Sequence, residues 1–381
     1  MNVHPMVPVT DPLAQYESLA PQIRDAIDRV LASGQYILGP EVHAFEEEFA
    51  SFLGAVDAVG VASGTDALAL ALMALGIGRG DEVITVSHTA VATVAAIEQS
   101  GATPVLVDVE PGHLTMDPAG LPEVVTARTR AIVPVHIYGR PADLTAIQDF
   151  CSRHSLALVE DASQAHGARF DGTRVGAFGD VGVFSCYPTK NLGALGDAGI
   201  VATRDPVVAA RLRRLREYGW QERNLSIEPG VNSRLDELQA AILRVKLLHL
   251  DAGNARRQAL ATRYRGRLGD LAIALPPDRA GSEPVHHLFV VEIDDRETLR
   301  TKLTAAGIST AVHYPHPVHL QPAYRGRVRT SGSMRVTEEA AGRVLSLPLY
   351  PEIGDDAIDR VCVALSRFIP SSIAGASTWS P

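Results

Sequence analysis

Between about residues 40 and 204, apolar runs of strand length alternate with stretches of helical period, and few folds accommodate that alternation. The runs fall at residues 58–61, 82–86, 103–107, 131–135, 157–160, 181–184 and 200–203. Residues 66–75, 90–99 and 144–154 carry apolar side chains at spacings of three and four, as helices covering a sheet do. The pattern predicts a largely parallel sheet with helices on both faces. Past Asp205 the chain turns helical, over 207–218 and then in one long pattern over 233–268 that includes Leu235, Leu238, Leu243, Leu247 and Leu250. Beyond it, 287–293 reads as a strand, 297–306 as a helix and 345–348 as a short buried segment. A chain of 381 residues exceeds the size at which single cores stop growing. We therefore expect a large α/β domain over 1–245 and a smaller α+β domain over 246–381, with a small, polar, mobile tail over 371–381.

A net charge of −9 argues against a nucleic-acid surface, so any anionic ligand must be held by a few aimed donors. No run approaches the roughly 18 apolar residues of a membrane helix, and residues 1–12 lack a signal-peptide pattern. The cytoplasm is the expected compartment. Cys151, Cys186 and Cys362 are odd in number and far apart, which reads as small buried residues rather than disulfides or a thiolate metal site.

Glu160-Asp161 ends one expected strand, and Lys190 follows another, so both groups emerge where open α/β sheets bind ligands. A Schiff-base lysine and an acid that keeps a pyridine nitrogen protonated are the minimum that pyridoxal phosphate requires. Asp161 and Lys190 supply that pair, although a lone Asp after a strand also reads as a cap and a lone Lys as a surface charge. Ser63-Gly64-Thr65-Asp66 follows a strand and opens a helix, which suits a phosphate and equally suits a plain N-cap. Ser185 offers a further hydroxyl, and His88 is placed to lie flat against a cofactor ring.

The stretches SGTDAL (63–68), SHTAVATVAAI (87–97), PVHIYGRPADL (134–144), VEDASQAHGA (159–168), FSCYPTKNLGALGDAG (184–199) and GVNSRLDELQAAILRVKL (230–247) resemble the nucleotide-sugar aminotransferases of the DegT/StrS type. The resemblance runs from about residue 35 to 350. It implies the aspartate aminotransferase-like architecture of fold type I, pyridoxal phosphate as cofactor, and a homodimer with active sites built from both subunits. Position by position, it implies Lys190 as the lysine bonded to the cofactor, Asp161 as partner of the pyridine nitrogen, and Gln164 beside the phenolic oxygen. Gly64, Thr65 and Ser185 match phosphate contacts, Asn232 an asparagine reaching the neighbouring subunit's cofactor, and His88 the ring-stacking position, often a bulkier aromatic in relatives. Thr189 stands where many relatives have glycine.

In such an enzyme the freed lysine amine carries the proton between the donor's α-carbon and the cofactor, and two half-reactions through one site predict ping-pong kinetics. The resemblance further implies L-glutamate as amino donor and a nucleotide-linked keto sugar as acceptor. SHTAVATV, SQAHGA and NLGALGDAG are most similar to the branch acting on dTDP-3-keto-6-deoxyhexoses, with amination at C4 as the alternative. The product is then a dTDP-3-amino-3,6-dideoxyhexose for an antibiotic sugar or surface glycan. Tyr187, Tyr218, His313, Tyr314 and His319 are the candidate sugar contacts. Prolines between His313, His316 and His319 preclude the spacing of a helical metal site. Sugar dehydratases of this fold replace the lysine with histidine, and a regulatory protein on the same fold would not need Lys190, Asp161 and Gln164; all three are present.

Overall fold

The computed structural model describes residues 5–371, so the expected mobile tail lies, past Ser371, outside the described residues. The seven expected strands form: β1 (Asp57–Val61), β2 (Glu82–Val86), β3 (Thr103–Val107), β4 (Thr129–Ile132), β5 (Ala157–Asp161), β6 (Val181–Ser185) and β7 (Gly199–Thr203). With the two-residue strand Arg329–Thr330 they build one eight-stranded sheet, ordered β1, β7, β6, β5, β4, β2, β3, Arg329–Thr330. All neighbours from β6 onward are parallel, whereas β7 is antiparallel to both β1 and β6. Every residue of β2 and β7 is buried, because helices cover both faces. β4 ends earlier than its apolar run: Pro134 has no N–H to give a ladder, though its carbonyl still accepts from Asp161 N at 2.9 Å.

Alternation along β5 sends Glu160 and Asp161 to opposite faces. Glu160 accepts from the backbone N–H groups of Gly176, Phe178 and Gly179 at 2.7, 2.8 and 2.8 Å, and pairs with His136 Nε2 at 3.1 Å. His136 Nδ1 accepts from Ala142 N at 3.1 Å, so the imidazole proton sits on Nε2, facing the carboxylate. Glu160 therefore organises the loop before β6. Replacing it with alanine leaves buried donors without an acceptor, and is expected to lower stability by about 3–5 kcal/mol, read from the midpoint of a urea titration.

The N-terminal helices Pro12–Ser33 and Pro40–Leu53 carry a readable start signal in the first case: Asp11 Oδ1 accepts from Ala14 N at 3.0 Å, with Pro12 at the first helical position. The second has no cap of its own. Glu237, far along the chain, accepts from Gly39, Glu41 and Val42 N at 2.6, 3.0 and 2.9 Å and caps it instead.

The single long helix expected over 233–268 is two helices, Glu237–Leu247 and Leu250–Leu268. The break falls at Leu248-His249, whereas the poorest helix formers, Gly253 and Gly266, lie inside the second helix, so local preference does not mark the break. Packing does. The first helix lies against Pro12–Ser33 and Pro40–Leu53, while the second packs against the C-terminal helix Asp355–Phe368, and Leu248 at the corner is 83% exposed. The antiparallel pair Phe289–Glu292 and Val344–Leu347 forms where a strand and a short buried segment are expected. It belongs to a separate apolar core with Val7, Leu260, Tyr264, Leu303 and Ile358. All three cysteines are buried and free.

Candidate active site

The carboxyl ends of β1, β2, β4, β5 and β6 open on one cavity of about 250 Å³, lined by Ser63, Gly64, Thr65, Thr89, Ala90, Thr93, Asp161, Gln164, Ser185, Tyr187 and Lys190, among others. Because β7 runs the other way, its start rather than its end lies at this edge, and Asp197 and Ala198 complete the wall.

On one side stands the N-terminus of helix Gly64–Ala74. Ser63 Oγ accepts from Asp66 N at 3.1 Å, so the N-cap reading holds for that hydroxyl. The remaining first-turn N–H groups have no acceptor within the helix and face the cavity. A Cβ on Gly64 would lie 2.4 Å from Ser185 Cβ, so glycine is what lets the helix end approach the Ser185 hydroxyl. Helix-end donors beside a hydroxyl form an anion cradle.

Across the cavity, Asp161 is 6% exposed. Its Oδ2 accepts from Thr93 Oγ1 at 2.9 Å and its Oδ1 from Ser163 N at 3.2 Å. Thr93 spends its proton on Asp161, so in the 2.9 Å contact with Thr89 the Thr89 hydroxyl is the donor. Each carboxylate oxygen keeps a lone pair for a donor in the cavity. Lys190 Nζ makes no hydrogen bond or ion pair among the described residues. Burial lowers its ammonium to about 8, although Asp161 and Cys186 favour the charge. Uptake of an aldehyde by this amine is therefore expected to accelerate as pH rises and to level off above about 8; the absorbance change on adding pyridoxal phosphate to cofactor-stripped protein across a pH series measures it.

Gln164 is oriented by its neighbours. Its Oε1 accepts from Tyr138 N at 2.7 Å, so its Nε2 donates to the Tyr314 hydroxyl at 3.1 Å, bringing Tyr314 to the cavity edge.

The structure thus unites Gly64, Thr65, Asp161, Gln164, Ser185, Tyr187 and Lys190, with Tyr314 adjoining. It does not place His88 against the cavity. That ring is 1% exposed and shares a 2.6 Å hydrogen bond with Tyr138, whose hydroxyl donates in turn to the His313 carbonyl. The turn after β2 directs Thr89, Ala90, Ala92 and Thr93 inward and His88 behind the wall, so Ala90 stands where a stacking ring was expected. Burial lowers His88 to about 4, with Arg140 adding to the effect, so it is neutral. His313 joins only through Tyr138, and its Nδ1 meets Ser346 Oγ at 2.8 Å. His319 lies apart, between Ser87 Oγ at 2.7 Å and Glu338 at 3.2 Å. Tyr218 packs against Trp220 with ring centroids 5.2 Å apart, and Asn232 is exposed beside Glu217; neither lines this subunit's cavity. Among the described residues no group of three or more His, Cys, Asp or Glu could hold a metal ion. Thr89, Thr93, Ser163 and Asp197 escape the sequence reading, because Thr and Ser near a helix start look like caps.

Residues 17–366 match the DegT/DnrJ/EryC1/StrS aminotransferase family. The chain belongs to that family. It is 51% identical over 350 residues to the dTDP-3-amino-3,4,6-trideoxy-alpha-D-glucose transaminase of Streptomyces venezuelae, covering 92% of each chain. It is 50% identical to the erythromycin biosynthesis sensory transduction protein EryC1 of Saccharopolyspora erythraea, over 94% of this chain and 98% of that one. The crystal structure of S. venezuelae DesV in complex with a ketimine intermediate superimposes with a TM-score of 0.94 at 50% identity, covering 96% of this chain and 99% of the other. The protein is accordingly a pyridoxal-phosphate-dependent aminotransferase of nucleotide-linked keto sugars. The cavity fits that cofactor: its lining brings together an anion cradle, a carboxylate with free lone pairs and the Lys190 amine.

Proposed function

We propose that the enzyme transfers an amino group from L-glutamate to a dTDP-3-keto-6-deoxyhexose, giving a dTDP-3-amino-3,6-dideoxyhexose and 2-oxoglutarate, with Lys190 and Asp161 as catalytic residues. The observation that carries this reading is the convergence of Lys190, Asp161 and the helix Gly64–Ala74 on one cavity with Tyr187 and Tyr314 at its rim. When bound, pyridoxal phosphate supplies a carbonyl carbon that bonds to amines and a ring that accepts electrons from the adjacent carbon. The Gly64 and Thr65 N–H groups and Ser185 Oγ would hold its phosphate, and Asp161, held in place by Thr93 and Ser163, would keep the ring nitrogen protonated, with Gln164 available to the phenolic oxygen. Lys190 Nζ would anchor the group, and an amine near 8 can accept and return a proton close to neutral pH.

Position 3 of the sugar is supported by the transaminase of S. venezuelae, whose name specifies a 3-amino sugar. Amination at C4 remains the alternative. The exposed apolar side chains Tyr187, Leu195, Tyr218, Leu225, Ile227 and Val231, all within one stretch of chain, support a second copy docking over the cavity, with Asn232 reaching that copy's cofactor. The core around Phe289 and Leu345 supports a second unit within 246–381, although Val7 joins that core and the strand Arg329–Thr330 joins the large sheet, so the expected boundary between 1–245 and 246–381 is crossed in both directions.

The test is the absorbance spectrum of the holoenzyme before and after L-glutamate, then after each of dTDP-3-keto and dTDP-4-keto hexoses. The Lys190-bound band is expected to vanish with glutamate and return with the 3-keto sugar. Return with the 4-keto sugar alone moves the reading to C4, and no response to glutamate removes the donor assignment.

A further inference from the structure

A second cavity, of about 460 Å³, lies between the helix Pro12–Ser33, the start of the helix Leu250–Leu268 and Pro351-Glu352, and shares no lining residue with the cofactor cavity. Its size falls within the range of small-molecule sites, roughly 300–1,000 Å³. Three charged side chains on its wall lack a counter-charge among the described residues. Arg257, 4% exposed, gives Nη1 to the carbonyls of His286, His287 and Leu349 at 3.3, 3.3 and 3.0 Å, and its Nε and Nη2 make no hydrogen bond or ion pair among the described residues. Lys246, also 4% exposed, donates only to neutral oxygens, Gln15 Oε1 at 2.9 Å and the Gly193 carbonyl at 2.7 Å. Glu352 Oε2 is buried with no hydrogen-bond partner among the described residues, and neither cation forms an ion pair with it, although all three line the cavity. Arg256 lines it too but is spent on Asp355 at 2.6 Å.

Unpaired buried charges are costly, and three of them on one cavity wall, out of contact with one another, are accounted for by a ligand that brings the opposite charges. We propose that the cavity binds a free acidic α-amino acid, L-glutamate or L-aspartate, with one carboxylate on the Nε–Nη2 edge of Arg257, the other on Lys246, and the ammonium on Glu352. Two cations and one carboxylate on the wall are the charge complement of two carboxylates and one ammonium. The guanidinium edge meets a carboxylate with two parallel N–H donors. Gln15, whose Oε1 is held by Lys246, keeps its Nε2 protons for the second carboxylate. Burial pushes Lys246 down to about 8 and Glu352 up, and each favours the other's charge without touching it. The site is separate from the reacting one, so the proposal does not rest on the identity of the amino donor. It adjoins the segment of the cofactor lysine nonetheless: Asn191 is on its wall, and a void of about 20 Å³, room for one water, joins Arg257 and Glu352 to Pro188, Thr189 and Lys190.

Titration calorimetry on holoenzyme reduced with borohydride, whose cofactor is fixed to the protein and no longer reacts with amines, isolates this site from the reacting one. Two probes are compared: L-glutamate, and glutarate, the same dicarboxylate without the ammonium. In wild type, L-glutamate is expected to bind more tightly than glutarate. Glu352→Gln removes the counter-charge of the ammonium and is expected to weaken L-glutamate by roughly ten- to a hundredfold, the size of one hydrogen bond to a charged group, while glutarate is not weakened. No binding of L-glutamate to the reduced wild type, an unchanged L-glutamate affinity in Glu352→Gln, or an equal loss of both probes there overturns the proposal. If Glu352→Gln fails to fold by circular dichroism, Gln15→Leu decides: weakening of both probes supports the site, and two unchanged affinities overturn it. Failure of the proposed amino donor looks different, because the absorbance of unreduced holoenzyme would then not respond to L-glutamate while binding to the reduced enzyme persisted.

Discussion

Replacing Lys190 with alanine is expected to lower turnover by a factor on the order of 10⁴, the upper range for a positioned proton carrier, while leaving the fold intact. The fold survives because the Lys190 side chain holds nothing in place: its Nζ has no hydrogen bond or ion pair among the described residues, and burial already works against its charge. Removing a buried amine that no partner needs leaves no group unsatisfied. Chemistry fails for two reasons together. The anchor to the cofactor is lost, and so is the group that returns the proton. Thermal unfolding and single-turnover absorbance measured on the same preparation separate these effects. An unchanged melting temperature with no glutamate-dependent absorbance change is the expected pair of results, and retained turnover would sink the assignment of Lys190.

Asp161→Asn is expected to cost a factor on the order of 10³, corresponding to the 3–5 kcal/mol typical of removing one partner from a buried charge pair. The substitution preserves shape but offers one acceptor in place of two, so either Thr93 Oγ1 or Ser163 N loses its partner. It also removes the carboxylate that raises Lys190, so the lysine midpoint should fall below about 8. Both effects are read from one pH–rate profile of the variant. A loss of turnover with an unmoved lysine midpoint would mean that Asp161 does not face Lys190 electrostatically.

Much of the sheet was legible because strand-length apolar runs and their breaks are local: the helix Leu144–His154 and the strand Glu82–Val86 fall where their residues predict. The same holds for Asp161, the last residue of its strand, and for Lys190, in the turn that follows Val181–Ser185, positions that already place them at the ligand edge. The resemblance to the aminotransferase family added the cofactor and its phosphate contacts, and the family match bears out the cofactor. His88 shows where residue-by-residue reading runs out. A turn of four residues between Val86 and the helix Val91–Gln99 decides which side chains face inward, and a shift of a single position exchanges the cavity for the layer behind it. The break after Leu247 is of the same kind, since both helices share one pattern and only their different packing partners bend the chain.

What the sequence alone determined, then, is the α/β class, the strands and the two groups at their ends, because periodicity and strand termini depend on neighbours in the chain. Only the tertiary structure decided that Thr93 steadies Asp161 across 68 positions and that Glu237 caps a helix nearly 200 residues away. Such bonds form between segments whose local sequences carry no record of one another; they exist because packing brings the segments together in a dry interior, where an unmade hydrogen bond is costly.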